Sequence, residues 1–230
     1  MVKVGFFDSG IGGKSILNEF KKLCPQVETE YLADKENLPY GNKQASEIVG
    51  FAEANAAKLI ANGCSIVVVA CNTATAAAID LLRAKYPSVP FVGVEPAVKP
   101  AAQLSKTGVI GVLATAGTFN GRLYNKTKEK FAKNVKVISV IADEFVVEAE
   151  RLEGREVESL DQKELGRIEE IVRLRIEPIL EEGADVIVLG CTHFPHLKKI
   201  IEKVCAGRAQ VVDSSLAVAK QIMRVLEKTK

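Results

Sequence analysis

Gly63-Cys64-Ser65-Ile66-Val67-Val68-Val69-Ala70-Cys71 and Gly183-Ala184-Asp185-Val186-Ile187-Val188-Leu189-Gly190-Cys191 are two versions of one phrase. Each starts at a glycine, runs through consecutive aliphatic residues and ends on a cysteine. An apolar run without polar alternation is what a strand buried on both faces of a parallel sheet requires. A second pair of stretches echoes in the same way, Val4-Gly5-Phe6-Phe7-Asp8-Ser9 and Ile110-Gly111-Val112-Leu113-Ala114-Thr115. The two pairs have different offsets, which rules out a short solenoid repeat. They predict two similar α/β halves that face each other.

Working outward, strand candidates fall at residues 2–7, 29–32, 66–70, 89–94, 108–113, 135–140, 185–189 and 210–212. Amphipathic stretches lie between them. Residues 46–61 place Ile48, Phe51, Ala52, Ala56 and Leu59 on one face, and residues 164–181 do the same with Leu165, Ile168, Val172, Ile176 and Leu180. Ser159 and Gln162 form a candidate capping box before the second stretch, and Pro178 is expected to bend or end it. Repeated βα alternation predicts an α/β fold of two domains, each a mainly parallel sheet flanked by helices. The prolines of Glu95-Pro96-Ala97-Val98-Lys99-Pro100 mark the boundary. The expected division is residues 1–96 with 208–230, and residues 97–207, so that the last strand and helix return to the first half. Ligands of open α/β sheets bind at the carboxyl ends of strands, which places the site in the cleft between the halves.

The chain has 230 residues, 47% hydrophobic and 26% charged, with a formal net charge of +2. That is the composition of an ordinary globular protein, and it recruits neither nucleic acid nor an anionic membrane. The N-terminus opens on a strand-like run with no export signal, and no apolar run approaches the ~18 residues of a membrane helix. A cytoplasmic protein is expected. The five cysteines are an odd set without C-x-x-C spacing, so free thiols are expected. Only two histidines are present, His193 and His196, too few for a multi-histidine metal site.

Cys24, Cys64 and Cys205 read as small buried hydrophobes. Cys71 and Cys191 differ, because each follows an apolar strand and precedes a polar pair, Asn72-Thr73 and Thr192-His193. Each pair opens a helix-like stretch, residues 74–85 and 195–204. A thiol at a helix N-terminus feels the positive end of the dipole, which favours the thiolate. A cysteine pKa near ~8.5, lowered by such surroundings, lets thiol and thiolate coexist near neutral pH. Capping explains Thr73 and Thr192 as well as ligand binding does, but not a cysteine at both equivalent places. Two acid/base groups on opposite sides of a carbon invert a stereocentre directly, one removing a proton and the other returning one. Ser9 to Gly13 reads as G-x-G-G, not the G-x-G-x-x-G of a dinucleotide loop. Cys191-x-His193 lacks the further ligands of a metal site, and His196 is expected to be a surface residue at a helix N-terminus.

The motifs Asp8-Ser9-Gly10-Ile11-Gly12-Gly13, Leu38-Pro39-Tyr40-Gly41, Ala70-Cys71-Asn72-Thr73-Ala74-Thr75, Glu95-Pro96 and Gly190-Cys191-Thr192-His193-Phe194-Pro195, in this order, resemble those of the glutamate racemases. The resemblance runs through nearly the whole chain. It implies an enzyme that interconverts L- and D-glutamate for peptidoglycan synthesis, with no pyridoxal phosphate and no metal. Cys71 resembles the base that deprotonates D-glutamate and Cys191 the base for L-glutamate. Asp8 and His193 resemble the auxiliary groups beside them. Ser9, Tyr40, Gly41, Asn72, Thr73 and Thr192 match the family's substrate-binding places, with Thr115 and Thr118 as carboxylate contacts. One region departs from the pattern. Many members carry Cys-Pro followed by Val-Pro-Leu-Val-Glu-Glu-Gly where this chain has Ile141-Ala142-Asp143-Glu144-Phe145-Val146-Val147-Glu148-Ala149-Glu150-Arg151-Leu152-Glu153-Gly154. Glu150 best matches the auxiliary glutamate, with Glu148 and Glu153 as neighbouring alternatives. The resemblance implies a small-molecule substrate, glutamate, and leaves a homodimer open. Some members with extended N-termini depend on a peptidoglycan-precursor activator; nothing extends before Val2, so no such activator is expected.

Rival readings make different demands on the same residues. Aspartate racemases tend to carry a glutamate after the second Cys-Thr, where this chain has His193. A decarboxylase of the superfamily needs one cysteine only. A non-catalytic ligand-binding module has no use for two strand-end thiols, and a dinucleotide-dependent oxidoreductase needs the glycine spacing that is missing here.

Overall fold

The computed structural model describes residues 2–229. Strands β1 (Lys3–Asp8), β2 (Glu28–Ala33), β3 (Ile66–Val69) and β4 (Phe91–Gly93) form one sheet in the order β2-β1-β3-β4. Strands β5 (Val109–Ala114), β6 (Lys136–Ile141), β7 (Val186–Leu189) and β8 (Gln210–Asp213) form a second, in the order β6-β5-β7-β8. Every pairing is parallel. The echoed phrases are structurally equivalent: β1 beside β3 in one sheet stands where β5 beside β7 stands in the other. Central strands β3 and β7 are buried at every position, as their unbroken aliphatic runs require. Edge strands β2 and β6 expose part of their residues.

Each sheet is covered on both faces. In the first, α2 (Ala45–Ala61) and α3 (Asn72–Lys85) cover Phe7, Val67 and Val69. Helices α1 (Lys14–Leu23) and α10 (Ser215–Thr229) cover Val4, Phe6, Ile66 and Val68. In the second, α7 (Glu144–Arg151), α8 (Gln162–Glu181) and α9 (Lys198–Cys205) cover Leu113, Ile187 and Leu189. Helices α4 (Val98–Leu104) and α6 (Arg122–Phe131) cover Ile110, Val112, Val186 and Val188, and the short α5 (Ala116–Phe119) lies at the cleft.

Three local expectations are corrected. The last strand does not return to the first half: β8 pairs with β7 from Val186↔Gln210 to Leu189↔Asp213, and Val211 packs in the second core. Only α10 crosses back, through Val218, Ala219, Ile222 and Leu226. The cap of α8 is Asp161, whose carboxylate accepts from the Glu164 N–H at 2.8 Å, while the Ser159 hydroxyl donates to the Glu156 carbonyl. A carboxylate facing the first turn also opposes the helix dipole, so it is the stronger cap here. Pro178 does not end α8, which continues to Glu181. In the last turn the proline removes a single backbone donor.

Gly111 sets the spacing in the middle of β5. A Cβ there would stand 2.4 Å from Ile179 Cγ2 and 2.9 Å from Ile187 Cδ1, so α8 lies directly on the bare strand. We expect Gly111→Ala to destabilise the fold by about 1–3 kcal/mol through overpacking. Urea unfolding monitored by circular dichroism checks this, and an unchanged midpoint would show that α8 gives way freely.

Candidate functional site

All the strand ends that carry the motifs converge on one cleft. Cys71 follows β3 and is the N-cap of α3, its sulfur accepting from the Ala74 N–H at 3.5 Å. Asn72 and Thr73 form the first turn of that helix, with Asn72 donating to the Val94 carbonyl at 3.4 Å. Cys191 follows β7 in the equivalent place, but a 3-10 turn (Phe194–Leu197) comes before α9. The helix-dipole argument therefore applies fully to Cys71 and only weakly to Cys191. Both thiols are buried, and Cys71 lies near enough to Cys191 for charge on the second sulfur to raise the first.

The expectation that the surroundings lower the cysteine pKa is corrected for Cys71. Burial pushes its thiol well above the ordinary value, and the Asp8 carboxylate adds to this. The backbone N–H groups of Ala74 and Ser9 pull the other way and lose. Burial and the Asp8 charge together favour the neutral thiol at Cys71.

The two halves are joined through polar side chains. Asp8, at the end of β1, accepts from the Gly10 N–H at 2.7 Å and, across the cleft, from the Thr192 hydroxyl at 2.8 Å. Ser9 donates to the same carboxylate at 3.3 Å. His193 Nδ1 lies 3.9 Å from Cys191 Sγ, and its Nε2 lies 2.6 Å from Glu150 Oε1. Burial opposes the charged imidazole, but Asp8, Cys191 and Glu150 outweigh it and hold His193 well above its ordinary value. Glu150 is held below the usual carboxylate range: burial works against this, and His193 and the Ile11 N–H, at 2.7 Å, prevail. The glycine loop makes this approach possible. A Cβ on Gly10 would stand 1.9 Å from Glu150 Oε1, and one on Gly12 would stand 2.5 Å from His193 Nδ1.

The alternatives to Glu150 point elsewhere. Glu148 is buried against Arg167 and Arg151, which lower its carboxyl. Glu153 lies at the surface between Lys14 and Lys35. On the other flank, the hydroxyls of Thr73, Thr115 and Thr118 form a string across the cleft, at 2.9 Å and 3.0 Å. Tyr40 and Gly41 are buried beside it, and a groove of about 550 Å³ opens outside them, lined by Lys43, Gln44, Thr73, Gly117 and Arg122 among others. His196 is not a surface residue. It is half-buried in the 3-10 turn with an unpartnered Nε2, and burial together with the His193 charge lowers its pKa.

Two supporting residues escape the sequence reading. The Tyr31 hydroxyl donates to the Gly10 carbonyl at 2.7 Å and so supports the glycine loop. Asp34, just past β2, accepts from the Tyr40 hydroxyl and, at 3.3 Å, from the Asn55 amide. Their signal was position alone, on or just past a strand that ends at the cleft.

A closed cleft between two parallel-sheet halves, with one thiol from each half, is the architecture of an α/β enzyme working on a small molecule held between its domains. The model of the Asp/Glu/hydantoin racemase family matches residues 14–222. The chain belongs to that family. It is 40% identical over 223 residues to the glutamate racemase of Ectopseudomonas mendocina, covering 97% of this chain and 81% of that protein. It is 41% identical to the glutamate racemase of Roseiflexus sp. strain RS-1, covering 97% and 79%. The structure of Escherichia coli glutamate racemase in complex with L-glutamate and activator UDP-MurNAc-ala superposes with a TM-score of 0.86 at 34% identity, covering 98% of this chain and 82% of that one. Among the described residues, no helix is long and apolar enough to cross a membrane.

Proposed function

We propose that the protein is a glutamate racemase that interconverts L- and D-glutamate by a two-base mechanism, supplying D-glutamate for peptidoglycan synthesis. The observation that carries this is the pair of buried cysteines at equivalent strand ends of two facing halves. The α-carboxylate is held by the hydroxyls and amides of Asn72, Thr73 and Thr192, with Thr115 and Thr118 as further contacts. N–H groups at the start of α3 face it and oppose the charge that grows as the α-proton leaves. Asp8 and Ser9 receive the substrate ammonium, which adds a cation close to Cys71. With D-glutamate, the Cys71 thiolate takes the α-proton and the Cys191 thiol gives its proton to the opposite face. With L-glutamate the roles exchange. Each turnover leaves the thiol–thiolate pair reversed, with no electron gained or lost. Asp8 orients the proton at the first thiol, and the Glu150–His193 pair does so at the second. Free thiols of this kind suit the reducing cytoplasm, where we place the reaction.

The test is to follow optical rotation with dialysed, chelator-treated and borohydride-treated protein, given each enantiomer of glutamate and of aspartate. Glutamate is expected to racemise faster by about 10–200-fold, the range for one methylene in a fitted pocket. Equal rates on aspartate, or activity restored only by pyridoxal phosphate or a metal, would overturn the assignment.

A further inference from the structure

Asp143 ends the loop after β6 and occupies the N-cap position of α7, yet its side chain makes no cap hydrogen bond to that helix. An aspartate at such a position ordinarily accepts from the first turn of its helix. Here Oδ1 is buried without a hydrogen-bond partner. It is turned across the cleft: a Cβ on Gly41 would stand 3.0 Å from Asp143 Oδ1 and 3.0 Å from Thr115 Cβ. Gly41 and Thr115 both belong to the substrate-binding set read from the sequence, and Asp143 does not. It stands in the one segment that departs from the family pattern, where many members have Cys-Pro. A buried acceptor left unpaired is costly, so the position calls for a partner that arrives with the ligand.

That partner follows from the substrate chemistry. With the α-carboxylate at Asn72, Thr73 and Thr192, the glutamate side chain carries a second carboxylate, and no lysine or arginine belongs to the set of residues assigned to hold substrate. An ionised Asp143 would repel that carboxylate, and the neutral acid would bind it. We propose that Asp143 is a specificity-determining residue, a neutral carboxylic acid whose Oδ1 donates a hydrogen bond to the side-chain carboxylate of glutamate, so that binding takes up one proton here. The proposal rests on the glutamate racemase assignment and deepens it.

The surroundings agree. Burial holds the Asp143 carboxyl above its ordinary value. The groups facing it are few. Ala116 of α5 offers its N–H, which favours the anion, and that helix carries no titratable side chain. Glu144 on its own helix opposes the anion and Arg175 of α8 favours it, but these two are paired with each other. The Tyr40 hydroxyl, in the segment that carries Gly41, is engaged by Asp34.

The experiment compares the wild type with Asp143→Asn, which keeps a donor of similar shape but cannot ionise. The KM for D- and L-glutamate is measured between about pH 5 and 9, and calorimetry in two buffers of different ionisation enthalpy counts protons taken up on binding. Above the titration of Asp143, the wild-type KM is expected to climb about tenfold per pH unit. Asp143→Asn should lose that limb and the proton uptake. Asp143→Ala, lacking any donor, should raise KM about tenfold or more at low pH, with a smaller change in kcat, because the contact is made in ground and transition states alike. Identical pH profiles and proton uptake in wild type and Asp143→Asn would overturn the proposal. So would an unchanged KM in Asp143→Ala. Either failure in a protein that racemises glutamate touches this inference alone, whereas absence of glutamate racemisation in the wild type overturns both.

Discussion

Replacing Cys71 or Cys191 by serine is expected to lower racemisation in both directions by about 10²–10⁴-fold, the usual contribution of one positioned acid or base. A hydroxyl is a far weaker acid than a thiol, so serine supplies no usable anionic base near neutral pH. Both directions collapse together under the proposed two-base mechanism, in which each thiol is the acid for one enantiomer and the base for the other. A reaction that needs deprotonation alone should survive with one hand of substrate. Elimination from a β-substituted glutamate analogue tests this: Cys71→Ser should spare the L-analogue, and Cys191→Ser should spare the D-analogue. Serine at Cys24, Cys64 or Cys205, buried away from the polar network, should leave the rate nearly unchanged. Full two-way racemisation in either active-site variant would end the two-thiol mechanism.

The burial of Cys71 bears on how this experiment is read. Its thiol is raised by burial and Asp8, so the neutral form is favoured at the base proposed for D-glutamate. This was not visible in the residues around Cys71, which show a helix N-terminus and nothing of the depth of the cleft. What was legible follows a pattern. The buried runs of β3 and β7 announce themselves because a strand covered on both faces has no polar positions to alternate with. The convergence of Asp8, Cys71, Thr115 and Cys191 follows, since each stands at a strand end of one of two similar halves. The sheet that takes β8 was not legible. Its four residues would suit either edge, and only long-range pairing with β7 decides. Nor could the spacing of Glu148, Glu150 and Glu153 choose among them. Successive helical residues turn by about 100°, and which of them meets His193 depends on how α7 packs against α8 and the glycine loop.

Glu150→Gln is the second large effect we expect, and it tests that choice. Glu150 Oε1 is shared between His193 Nε2 at 2.6 Å and the Ile11 N–H at 2.7 Å. Glutamine keeps one acceptor of the same shape but carries no charge, so the loop contact survives while the imidazolium loses its partner. A hydrogen bond to a charged group contributes about 1.5–3 kcal/mol, which corresponds to about 10–150-fold in rate. Because the two enantiomers of glutamate are equal in free energy, kcat/KM must fall by the same factor in both directions. The site of the damage shows instead in the proton inventory. His193, held well above its ordinary value in the intact protein, should titrate at lower pH in the variant, as read by imidazole NMR. The corresponding limb of the pH–rate profile should move the same way. Glu148→Gln should weaken the fold through its lost pairs with Arg167 and Arg151 without moving that limb. Glu153→Gln removes only surface pairs with Lys14 and Lys35, which are worth little. If the kinetic loss and the shift of the imidazole follow Glu148 or Glu153 and spare Glu150, the auxiliary group on the Cys191 side has been misassigned.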